Sequence, residues 1–212
     1  MQVIQKEHHY AQSWEYVIWT YLSRYPTSPF FPQLLDHIVT QISWDPAEQV
    51  FKCAKRLTIM TPVPKPLRKM AKASQTYLFQ TLTIDLKKRR MEEVSKNREG
   101  AKKYQLKEVA QWVGREKDGT DFSEEANIVI NPKVPNFIAK IVLKEVVKQY
   151  DRGFDEGRRV DHILMDDRHV AIDGLEIVQE FCSRQFKHQQ RSDILDFSIA
   201  FSLFIDADQP KG

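Results

Sequence analysis

At 212 residues the chain has room for one domain with an extension, or for one domain and a small second unit. Hydrophobic residues make up 42% and charged residues 29%, enough for a core because the apolar positions are grouped rather than scattered. A net charge of only +3 argues against a dedicated nucleic-acid binder, which would carry a larger basic excess.

Twelve Phe, seven Tyr and four Trp supply large side chains suited to a core or to the lining of an apolar cavity. Cys53 and Cys182 form no CxxC or zinc pattern and read as two reduced, buried thiols, with a bridge between them as the alternative. The N-terminal M-Q-V-I-Q-K-E-H-H-Y shows neither a signal-peptide core nor an Arg-rich presequence, and no apolar run reaches the length of a membrane-spanning helix. The expectation is a soluble protein.

Val3 to His9 predicts a short strand, with His8 and His9 on opposite faces, which argues against a shared metal. Ser13 suits an N-cap, and Trp14, Val17, Ile18, Tyr21 and Leu22 give the following helix one apolar face. That helix must end before Pro26. A stiff segment with three prolines follows, Arg24 to Pro32, and then two strands, Leu35 to Trp44 and Gln49 to Ile59, joined at Asp45-Pro46-Ala47.

Thr61 to Ser74 breaks the strand rhythm: its first half is proline-rich and its second half suits a short helix. Lys65, Arg68, Lys69 and Lys72 fall at i, i+3, i+4 and i+7, with Val63, Leu67, Met70 and Ala71 as a short apolar counter-face. Tyr77 to Ile84, Met91 to Ser95, Tyr104 to Val113 and Ala126 to Ile130 predict further strands, with Gly114 to Thr120 as a turn. Successive hairpins imply an antiparallel sheet.

The pattern then becomes helical from Asn136 to Met165, about 45 Å at 1.5 Å per residue, with Gly153 and Gly157 as points of bending or close packing. Ile138, Val142, Val146 and Tyr150 form an apolar line, beside a basic line of Lys140, Lys144, Lys148 and Arg152. Residues 171–187 predict another amphipathic helix, with Leu175, Val178, Phe181, Cys182 and Phe186 inward, and Ile194 to Ile205 adds an apolar stretch. The expected class is α+β: a curved antiparallel sheet wrapped around a long C-terminal helix, with an extra helical C-terminal extension. The domain boundaries read as 1–166 for the main domain and 167–212 for an extension whose role the sequence leaves open.

Two traces, H-H-Y-x-x-S-W-E-x-V from His8 and R-Y-P-x-x-P from Arg24, together with the order of the elements, resemble the PRELI/slowmo family over about residues 1–166. The resemblance implies a StAR-related lipid-binding fold. It also implies a non-catalytic carrier of an anionic phospholipid, phosphatidic acid or phosphatidylserine, in the mitochondrial intermembrane space. A small disulfide-stapled helical-hairpin protein is the implied partner, and no cofactor is implied. Arg24, Tyr25 and Pro26 match the family's R-Y-P and Arg56-Leu57 its R-L, while Thr61 to Ser74 falls where the family has a lid loop. Thr27-Ser28 replaces the asparagine usual after R-Y-P, and residues 167–212 have no place in the core domain of the family.

Arg24, Lys140, Lys144, Lys148 and Arg152 are therefore the candidate headgroup ligands, since cationic donors suit a phosphate and arginine offers a bidentate fork. Helix capping by Arg24 and a plain solvated face for the lysine line are the alternatives. Lys65, Leu67, Arg68, Lys69, Met70 and Lys72 are the candidate lid and membrane contacts, against a solvated loop. No G-x-S-x-G, H-E-x-x-H, P-loop or G-x-G-x-x-G is present, which points away from an enzyme. A protein-interaction module without a lipid is the second reading.

Overall fold

The computed structural model describes residues 1–24, 32–60, 75–97, 104–116, 119–166 and 173–189. Strand β1 (Gln2–Tyr10) leads into helix α1 (Trp14–Ser23), whose N-cap Ser13 accepts a bond from the Tyr16 N–H. Six strands follow: β2 (Leu34–Asp45), β3 (Val50–Met60), β4 (Gln75–Asp85), β5 (Arg90–Asn97), β6 (Tyr104–Gly114) and β7 (Thr120–Ile130). Helix α2 (Asn136–Asp166) and helix α3 (Gly174–Gln189) complete the described chain.

All seven strands pair antiparallel in the order β1-β7-β6-β5-β4-β3-β2, so β1 closes the meander by joining its last strand. The predicted α+β architecture is the one observed, a curved sheet packed around a long helix. The main difference lies in β7, which begins at Thr120 rather than at Ala126. Its first half, T-D-F-S-E-E, mixes the β-formers Thr120 and Phe122 with Asp, Ser and two Glu, but it pairs with β1 on one side and β6 on the other along its whole length. Ladder hydrogen bonds from two neighbours outweigh a weak local preference.

Strand β2 carries register shifts at Leu34/Asp36 and Val39/Gln41. The second one changes the inward positions from His37 and Val39 to Ile42 and Trp44, which keeps apolar groups inside while the edge bends. Helix α2 runs unbroken through both glycines. A side chain at Gly157 would meet the Arg24 guanidinium at 3.7 Å, whereas Gly153 faces open space.

The inward face of the sheet falls into rows fixed by the strand registers. Near the β4–β5 and β6–β7 turns, Phe51, Ile84, Met91, Trp112 and Phe122 form an apolar row. Helix α1 starts beside it, with the Trp14 indole donating to the Trp112 carbonyl at 3.3 Å. Helix α2 ends there, its Met165 carbonyl accepting from the Tyr16 hydroxyl. Helix α3 adds Ile177, Val178, Phe181 and Cys182 to the same core, and Trp19 donates to Glu180 at 3.0 Å. Cys53 and Cys182 are both free and buried. Phe186, the remaining inward position predicted for this helix, and Ile194 to Ile205 lie outside the described side chains. No described helix is long and apolar enough to cross a membrane.

Candidate functional site

One step along the strands from the apolar core, the inward positions turn polar. Lys55, Gln80, Ser95 and Glu108 lie side by side across β3 to β6, and the adjacent row brings Glu93 and Glu124. This band sits at mid-height, between the packed end and a second apolar row that includes Leu57, Leu78, Leu106 and Ile128. Strand alternation dictates which residues point inward, and the shared register lines their polar groups up.

Lys55 is only 1% exposed, and its ammonium pairs with the Glu93 carboxylate at 2.9 Å. Glu93 also accepts from Gln80 at 2.9 Å and from the Tyr21 hydroxyl at 2.8 Å. Such a buried charge persists only when paired and hydrogen-bonded. Two cations stand near the ring of Tyr21, Arg24 at 5.0 Å and Lys55 at 6.0 Å from its centroid.

Arg24 is the C-cap residue of α1, and its side chain leaves that helix to reach α2. It donates to the Gly157 carbonyl at 2.9 Å and pairs with the buried carboxylate of Asp161. Arg158 also pairs with Asp161, at 3.3 Å, bonds to the Tyr10 hydroxyl, and lies 4.2 Å from the Phe122 ring centroid. Tyr10 in turn donates to Asp161 at 2.6 Å. Two guanidiniums thus share one carboxylate against a wall of aromatic rings.

The electrostatics of the band follow from burial. Glu108 is pushed up to about 8 by desolvation, and then by its neighbours Glu124 and Glu93, so its carboxyl stays protonated at neutral pH. Glu124 is raised as well, again mainly by burial. Burial lowers the affinity of His8 for a proton, and Arg158 adds to the effect. The interior therefore discourages negative charge at Glu108 while holding three cations, Arg24, Lys55 and Arg158, around the aromatic residues Tyr21 and Tyr10.

Of the sequence candidates, Arg24 lies in this group. Lys140, Lys144, Lys148 and Arg152 do not: all four are exposed on the outer side of α2, while Val142 of the neighbouring apolar line is buried. The six candidates between Lys65 and Lys72 lie outside the described residues. His8 and His9 alternate across β1 as expected, His9 pairing outward with Asp121 at 3.0 Å.

Sequence reasoning missed Lys55, Glu93, Glu108, Arg158 and Asp161. A signal for the strand members was present: Lys55 stands at an inward position between Cys53 and Leu57, where the alternation calls for an apolar residue. For Asp161 and Arg158, helical spacing alone gives no such mark.

The molecule has clear relatives by family and by fold. The model of the PRELI-like family matches residues 15–168. Among solved structures, TTHA0849 from Thermus thermophilus superposes with a TM-score of 0.50 at 12% identity, over 77% of this chain and 97% of that one. A START superfamily protein from Mycobacterium smegmatis gives 0.43 at 12%, over 76% and 98%. Norcoclaurine synthase from Thalictrum flavum gives 0.44 at 11%, over 77% and 86%. At these identities the likenesses speak to the fold alone. No curated protein matches the sequence significantly. With nearly three quarters of its length matched, the chain belongs to the PRELI-like family, and that membership fits a lipid-binding protein.

Proposed function

We propose that the protein is a non-catalytic carrier that extracts an anionic phospholipid, phosphatidic acid or phosphatidylserine, and moves it between mitochondrial membranes. The observation that carries this reading is the placement of Arg24 and Lys55, two buried cations near the Tyr21 ring, in a polar band between two apolar rows of the interior. A phosphate entering this band would compete with Asp161 and Glu93 for cations that are already oriented. Each cation keeps an anionic partner in the exchange, and a displaced carboxylate that competes for the same cation favours release. Acyl chains would lie along the second apolar row, toward the strand ends at Met60, Tyr104 and Ile130.

Family membership is what supports the intermembrane-space location and a small disulfide-stapled helical-hairpin partner. The test is transfer of fluorescent phosphatidic acid and phosphatidylserine between liposomes, with that partner supplied. The variants to compare are Lys55→Met/Glu93→Gln and Arg24→Met/Asp161→Asn, each of which removes a cation and its partner together. A folded variant that loses transfer by tenfold or more supports the reading. Wild-type transfer retained in both folded variants, or a folded wild type that transfers neither lipid, overturns it.

A further inference from the structure

Helix α2 has an outer face that the interior site leaves unused. Over its first turns the exposed positions are Phe137, Lys140, Ile141, Lys144 and Lys148, with Lys133 in the loop just before. Phe137 is 69% exposed, more than any other large apolar side chain among the described residues except Met1. On a helical wheel these positions share one arc, since 137, 141, 144 and 148 repeat at spacings of four, three and four.

Charge on this helix is divided along its length. Lys133, Lys140, Lys144 and Lys148 make no ion pair with any described residue. In the second half Asp151 pairs with Lys6 at 2.7 Å and Glu156 with Arg159 at 3.2 Å and Arg152 at 3.9 Å, while Asp155 is an exposed carboxylate. The first half therefore presents unpaired ammonium groups around two exposed apolar side chains. Glu145, its single carboxylate, is half-buried and bonded to Gln149.

Other exposed apolar groups stand at the same end of the strands: Leu35 near the start of β2, Met60 at the end of β3 and Val129 near the end of β7, the strand that leads into α2. The opposite end, by contrast, is sealed by α1 and α3.

We infer that the first four turns of α2 are a docking foot for an anionic lipid bilayer. Phe137 and Ile141 enter the interfacial layer, and Lys133, Lys140, Lys144 and Lys148 lie against the phosphates. Lysine stems can run along the apolar surface while their ammonium groups stay at headgroup level, the arrangement that holds amphipathic helices at an interface. Charge complementarity selects the bilayer: the face has no exposed carboxylate to attract a basic partner, and its apolar groups project singly instead of forming a groove. The inference rests on the carrier reading only in that a carrier must touch the membrane it empties. It gives the outer lysines a membrane role in place of direct headgroup binding.

The test is co-sedimentation of the full chain with vesicles of phosphatidylcholine, alone or mixed with phosphatidylglycerol, an anionic lipid distinct from the proposed cargo. Wild type is expected to bind the mixed vesicles and to leave them as salt rises. Each Lys→Glu change at 140 or 144 should weaken partition by fivefold or more, because each cation near an anionic leaflet contributes about a fivefold factor. Phe137→Ser should weaken it by about tenfold. Lys52→Glu, on the outer face of β3, is the control that should bind like wild type. Soluble short-chain phosphatidic acid, followed by tryptophan fluorescence, reads the interior site separately and should bind all four variants equally.

Loss of vesicle binding with short-chain binding retained supports the docking foot. Vesicle binding without any short-chain binding, lost in the same variants, also supports it and removes the carrier reading instead. Equal vesicle binding by wild type and the Phe137 and lysine variants overturns it. So does a wild type that ignores both vesicles but binds polyglutamate, which would make this face a site for an acidic protein.

Discussion

The two halves of the sheet's inner face are built from the same alternating strands, yet they carry different chemistry. At the packed end the inward positions are Phe51, Ile84, Met91, Trp112 and Phe122, sealed by three helices with ring-on-ring contacts such as Phe51 against Phe181 at 6.2 Å. One row further on Glu93 and Glu124 stand among Cys53, Leu82 and Ala110, and the row after that brings Lys55, Gln80, Ser95 and Glu108. The first half gains from every methylene it buries. The second holds polar groups whose desolvation offsets much of what their pairing returns. Stability and recognition are thus separated along a single sheet, and α3, beyond the stretch that the family model matches, belongs to the stabilising half.

Deleting bulk at the packed end should break the protein outright. Phe181→Ala is expected to cost about 3–5 kcal/mol, read from urea unfolding, because the ring is fully buried between α1 and the sheet. A loss under about 1 kcal/mol would show that α3 is dispensable to the core.

Asp161→Asn should come next, at about 3 kcal/mol, since it leaves two buried guanidiniums without their shared carboxylate. If the band is a phosphate site, the same variant should bind soluble short-chain phosphatidic acid more tightly than wild type, by calorimetry. Weaker binding would instead mean that Asp161 orients the arginines for the ligand.

Glu108 sharpens the comparison through pH. Its carboxyl is held at about 8 in the fold, against an ordinary value of 4.5. Between those values the folded chain binds more protons than the unfolded one, so this group's contribution to stability falls as pH rises, and levels off above about 8. Glu108→Gln should remove that decline, narrowing the difference in urea midpoint between about pH 5 and about pH 8. An unchanged difference would mean that Glu108 is ionised and solvated inside.

The smallest effect is expected of the thiols. Burial pushes both Cys53 and Cys182 up to about 12, so neither should react with a disulfide reagent at mild alkaline pH until the protein unfolds. Fast labelling of Cys182 alone would mean that α3 opens independently of the sheet.

Much of the architecture was legible because period and punctuation are local properties. Trp14 to Leu22, the hairpin series and the line Ile138–Val142–Val146–Tyr150 could all be read from spacing, and Ser13 and Pro26 mark a start and a limit for α1. The first half of β7 was not legible, since its strand state comes from pairing with residues over a hundred positions away. The site was legible only in Arg24. The lysine line drew attention by its regularity, but regular spacing says that four charges share a face without saying which way the face points.

By itself, then, the sequence determined the α+β class, the antiparallel meander, the long helix and the family, all of which rest on short-range pattern. Tertiary structure decided the rest. It placed α3 in the core, turned Lys140, Lys144 and Lys148 outward, and brought Lys55, Glu93, Arg24, Arg158 and Asp161 together from four elements. The physical reason is that a buried charge is defined by its partners, and these partners lie as far apart in sequence as Arg24 and Asp161.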